Sequence, residues 1–142
     1  MAEQFTIPRN NSPLNKSKRR KAILRFFEEW LAAHPKARVY NYSLREYIYI
    51  DKKLSPDETS HWAQHRYMST VLVLYHFDEI LRYAKDAGDA DPKSKTAKKR
   101  FSKLILMERT VKGVGKAKLT VGIEKDEEKK KMKTQYCITA IE

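Results

Sequence analysis

The stretch from Met68 to Ala84 (MSTVLVLYHFDEILRYA) is apolar at helical spacing over four turns. Met68, Leu72, Tyr75, Leu81 and Ala84 recur at helical intervals, and Val71, Leu74, Phe77 and Ile80 widen the stripe to roughly half the helix circumference. A helix with so broad an apolar face needs cover on more than one side. The remainder of the chain must supply that cover, which makes this segment the expected centre of the fold.

Before it, Lys16 to Ala33 reads as a first helix with Ile23, Phe26, Phe27, Trp30 and Leu31 on one face, stopped by His34 and Pro35. Ser12 followed by Pro13 offers a cap for it. Arg38 to Ile50 is rich in Tyr and Ile, with Glu46 to Ile50 the expected strand. Ser55, Pro56 and Glu58 form a capping-box signal, so a second helix is expected from Pro56, either running into the core helix or breaking near Tyr67. Residues 85–100, with Gly88, Pro92 and many lysines, read as a long mobile connection.

After residue 100 the apolar period changes from helical to twofold. Phe101 to Val111, Lys116 to Glu124 and Lys133 to Ile141 read as three antiparallel strands, joined at Gly113 and Gly115 and then over residues 126–131. The expected fold class is therefore α+β, with N-terminal helices followed by a small antiparallel β-sheet, a terminal three-strand meander, packed on the central helix. At 142 residues the chain is expected to hold a flexible arm over residues 1–15 and one domain over 16–142. Within that domain the helical part covers 16–87, a basic loop 88–100 and the meander 101–142.

The net charge of +12 is concentrated. Residues 16–25 carry six basic side chains and no acidic one, and residues 92–118 carry ten against Glu108 alone. Clustered cations suit a polyphosphate partner, because each one placed on a phosphate releases counterions. Lys18, Arg19 and Arg20 in the first segment and Lys93, Lys95, Lys98, Lys99, Arg100 and Lys103 in the second are the candidate nucleic-acid contacts. The single cysteine, Cys137, allows no internal disulfide. Apolar runs are too short for a membrane span, so a cytoplasmic protein with no membrane partner is expected.

No motif names a reaction. Glu58, His61 and His65 share a helix face, but Trp62 stands where a zincin needs Glu and no second ligand cluster follows, so no metal or cofactor is expected. Lys112 to Lys116 (KGVGK) joins two strands, which favours a hairpin over a phosphate loop. A coherent set remains if the core helix crosses the sheet. His61, His65, Arg66, Tyr67 and Ser69 would then approach Lys103, Arg109, Lys118 and Tyr136. In that arrangement His65 serves as acid or base, Arg66, Arg109 and Lys118 hold a phosphate, and Tyr136 donates a proton or stacks on a base.

The order SPDET, STVLVLYHFDEILRYA, a basic loop, KLILMERTV, KAKLTVGI and TQYCITAI resembles the barnase, EndoU, colicin and RelE-like superfamily. More narrowly, it is similar to the versions carried in large polyvalent proteins of phages and conjugative elements. The likeness spans about residues 38–142 and implies a helix packed on a small antiparallel sheet that binds RNA, with nuclease activity in many members. The sheet segments lack a plain catalytic histidine, so a RelE-like site of Lys, Arg and Tyr fits better than a barnase-like acid and base pair. The resulting expectation is an RNA-directed module of a phage or mobile element, a candidate metal-independent endoribonuclease. A non-catalytic nucleic-acid binder and a protein-interaction factor inhibiting a host nucleic-acid enzyme are the alternatives.

Overall fold

The computed structural model describes residues 6–91, 95–124 and 132–134. Helix α1 (Pro13–Ala33) begins earlier than Lys16, because Pro13 occupies its first turn and the Ser12 hydroxyl accepts the Asn15 N–H at 3.2 Å. Its buried face is Arg19, Ile23, Phe27 and Trp30. Strands β1 (Arg38–Asn41) and β2 (Glu46–Ile50) form an antiparallel hairpin with Val39 opposite Ile48 and Tyr40 opposite Tyr47.

Helix α2 (Leu54–Ala63) starts ahead of Pro56. Asp51, rather than Ser55, holds its first turn, since Asp51 Oδ1 accepts from the N–H groups of Lys53 at 3.0 Å and Leu54 at 2.7 Å. Ser55 is buried and turns its hydroxyl back to accept the Asp51 N–H at 3.1 Å. The chain breaks over residues 64–66 and resumes as α3 (Tyr67–Tyr83), the core helix. Thr70 closes the break by donating to the Ala63 carbonyl at 3.0 Å.

The expected mobile connection contains structure. Strand β3 (Lys85–Ala90) pairs antiparallel with β4 (Phe101–Val111), and α4 (Lys95–Arg100) precedes β4. Strand β5 (Gly115–Glu124) returns from β4 through a turn in which Gly113 has φ 81°, a left-handed value that favours glycine. Among the described residues, strand β6 (Met132–Thr134) completes a six-stranded sheet of order β1-β2-β6-β5-β4-β3. All its neighbours are antiparallel except β2 and β6, which run parallel. The expected third strand of the meander lies outside the described residues beyond Thr134.

The α+β class read from the sequence is the observed one. Helix α3 packs on β1, β4 and β5 with one side and on α1 with another. Phe77 sits at this junction, edge-to-face with Phe26, Phe27 and Trp30 at 5.2–5.3 Å. Ile105, Met107, Ala117, Leu119 and Val121 complete the core from the sheet. Phe101 covers Gly122 so closely that a Cβ at that position would lie 2.5 Å from the ring. Among the described residues no helix is long and apolar enough to cross a membrane.

Candidate functional site

The residues expected to form one site are separated by the fold. His65 and Arg66 are exposed in the α2–α3 turn. Arg109 pairs with Glu79, thirteen residues along α3 from Arg66, which at a rise of ~1.5 Å per residue is about 20 Å away. Lys118 alternates with the buried Ala117 and Leu119, so it lies on the sheet face opposite the helices, in register with Glu108. Tyr136 lies outside the described residues. His61 and His65 approach each other, with ring centroids 6.0 Å apart. Desolvation, then the charges of Lys16, His61 and Arg19, lower the pKa of His65. Ser69 is buried in the core helix.

The cationic candidates divide in the same way. Arg19 is fully buried, so it is a structural residue and not a surface contact. Its guanidinium donates to the carbonyls of Gln64, Pro8 and Asn10 and to Asn11 Oδ1 at 2.8–3.1 Å, pinning the segment expected as a free arm. Arg100 is held by Asp51 at 2.5 Å and Glu124 at 3.4 Å, so its charge is spent within the fold. Lys103 pairs with Asp89 at 2.6 Å, and that hydrogen bond and charge raise its pKa. Arg20 stands 3.6 Å from Asp57. Lys18, Lys95, Lys98 and Lys99 are exposed, while Lys93 lies outside the described residues.

A different constellation forms at the C-terminal half of α3. The helix is interrupted at His76, whose φ of −129° and ψ of 16° are not helical. Just beyond the interruption, Glu79 Oε1 lies 3.7 Å from His76 Nδ1, and its Oε2 accepts from Arg109 Nε at 3.2 Å and Nη2 at 3.1 Å. Arg109 reaches Glu79 because it is in register with buried Ala117, on the helix-facing side of β4. The guanidinium also lies 5.1 Å from the centre of the Tyr83 ring. His76, Glu79 and Arg109 are each about one-third exposed, so carboxylate, imidazole and guanidinium meet where a solute can reach them.

Tyr83 links this cluster to a row of tyrosines. Buried Asn41 donates to the carbonyls of Leu81 at 2.6 Å and Ala84 at 3.0 Å, fastening the end of β1 to the end of α3. The Tyr42 N–H donates to Arg82 O at 3.0 Å, and the Tyr42 ring stacks on Tyr83 at 5.5 Å. Tyr40 meets Tyr42 at 5.5 Å and Tyr47 at 5.3 Å, and Arg38 lies over Tyr47 at 4.0 Å. The alternation in RVYNY and EYIYI already places Arg38, Tyr40, Tyr47 and Tyr49 on one strand face. His76 and Glu79 are three apart in sequence, but nothing local shows that Arg109 joins them.

Among the described residues, no group of three His, Cys, Asp or Glu side chains could hold a metal ion. No family model, curated protein or solved structure matches the chain.

Proposed function

We propose that the protein acts on RNA as a metal-independent endoribonuclease, with His76, Glu79 and Arg109 as its working groups. The observation that carries this reading is Glu79 bridging His76 and Arg109 at a partly exposed break in the core helix. Glu79 Oε1 faces Nδ1 of His76, which leaves Nε2 to take the proton of a ribose 2′-hydroxyl. The 2′-oxygen then attacks phosphorus and the bond from phosphorus to the 5′-oxygen breaks. The products are a 2′,3′-cyclic phosphate and a 5′-hydroxyl, whose proton comes from water. Arg109 has Nη1 uncommitted to Glu79 and balances the charge that builds on the phosphate oxygens.

The net charge of +12 and the exposed Lys95, Lys98 and Lys99 supply the attraction for a polyanion. The resemblance to nuclease domains of phages and mobile elements agrees with this reading. Incubation of the purified protein with a mixed, labelled RNA pool in EDTA tests it. Cleavage should fall ~10²–10⁴-fold in His76→Ala and fall with Arg109→Ala, but persist in His65→Ala. Intact RNA in every wild-type reaction would overturn the enzymatic reading, and a salt-sensitive mobility shift without cleavage would leave a non-catalytic binder.

A further inference from the structure

We infer that Tyr47, Tyr40 and Tyr42 form a stacking track for the bases of single-stranded RNA, leading to Tyr83 and the Arg109 guanidinium. This inference rests on the RNA reading above and names the form of RNA that the site accepts.

Large aromatic rings rarely stay in water when packing could cover them, so contiguous exposed ones call for an occupant. Tyr47, Tyr40, Tyr42 and Tyr83 are 39%, 37%, 58% and 42% exposed, yet in that order each ring meets the next. The row is held in place from below. Val39 and Ile48 anchor the hairpin in the core, and Asn41 ties it to α3. The rings are thus presented by a rigid support, which lowers the ordering cost of a ligand that stacks on them.

Charge identifies the occupant. Arg38 lies 4.0 Å from the Tyr47 ring at one end, and Arg109 lies 5.1 Å from the Tyr83 ring at the other. Aromatic faces flanked by guanidinium groups match a strand in which flat bases alternate with phosphates. A duplex hides its base faces in its own stack, so the track selects unpaired RNA. The row also ends where cleavage is proposed, so a strand lying on it passes its backbone to His76 and Arg109.

The test is fluorescence anisotropy with a labelled 2′-O-methyl oligonucleotide of about ten nucleotides, within the span of known single-strand sites, which cannot be cleaved by its own 2′-oxygen. Tyr42→Ala should weaken binding of the single strand roughly tenfold, while Tyr42→Phe stays close to wild type. Binding of the same sequence as a duplex should be weaker and indifferent to both changes. Tyr40→Ala provides a second reading, with circular dichroism confirming the fold. Wild-type affinity in both alanine variants, together with loss of cleavage in His76→Ala, would overturn the track and keep the ribonuclease. Equal loss in Tyr42→Phe and Tyr42→Ala would overturn stacking as the cause. A wild-type protein that neither binds nor cleaves RNA would remove both proposals.

Discussion

Arg19 is wholly buried, and its Nε donates to the carbonyl oxygen of Gln64 at 2.8 Å. Three further acceptors come from Pro8, Asn10 and Asn11, so one guanidinium joins α1, the α2–α3 break and the segment preceding α1. Burial lowers its pKa, but an arginine stays charged.

Replacing Arg19 removes four part-buried hydrogen bonds at once. Arg19→Met should cost about 3 kcal/mol in urea denaturation, the upper end for a lost hydrogen bond to a charged group, because water can reach the freed acceptors. Arg19→Lys should recover little, because an ammonium lacks the planar fork that reaches four acceptors. A methionine variant as stable as wild type would contradict the structural role.

Gly122 has no room for a side chain. Gly122→Ala would place its Cβ 2.5 Å from the buried Phe101 ring, which forces strand or ring to move. A loss of ~1–3 kcal/mol is expected, in the range for overpacked cores. Thermal melts of Gly122→Ala with and without Phe101→Leu check it, since the smaller side chain should return part of the loss.

Asp51 makes stability depend on acid. Desolvation works to raise its pKa, but hydrogen bonds from Leu54, Arg100 and Lys53 and the charge of Arg100 outweigh it, and the folded pKa lies below the ordinary value. The folded state therefore binds fewer protons than the unfolded chain. The contribution is complete above the unfolded pKa of about 3.9 and is lost as pH falls through the folded one. Asp51→Asn should be less stable than wild type at neutral pH, with the gap closing below about pH 4. A gap of constant size across that window would show that Asp51 acts by packing alone.

Local chemistry made much of the fold legible. Ser12 and Pro13 announce α1, the apolar period marks α3, and alternation marks β2, β4 and β5. Strand β3 was not legible, because KDAGDA has little strand propensity and forms by pairing along β4. Asp51 and Ser55 exchange the capping role that spacing assigns to Ser55, since only the tertiary fold shows which of them faces the helix start. Arg19 could not be told from its exposed neighbours, as its acceptors come from distant turns. The His76, Glu79 and Arg109 cluster needs a strand register that brings residue 109 beside residue 79, so sequence alone pointed to His65 instead.

The placement of β6 has a consequence for how the chain is assembled. It lies between β2 and β5, so the hairpin that presents the tyrosines reaches the other strands only through a segment made some eighty residues after β2. During synthesis the two hairpins can each form early, but they cannot join into one sheet until residues 132–134 have emerged. Until then the hairpin is held from outside the sheet, by Asn41 and Tyr42 against the end of α3 and by Asp51 against Arg100. The tyrosine row on that hairpin would therefore take its place in the sheet only once β6 has been made, later than the contacts within either hairpin.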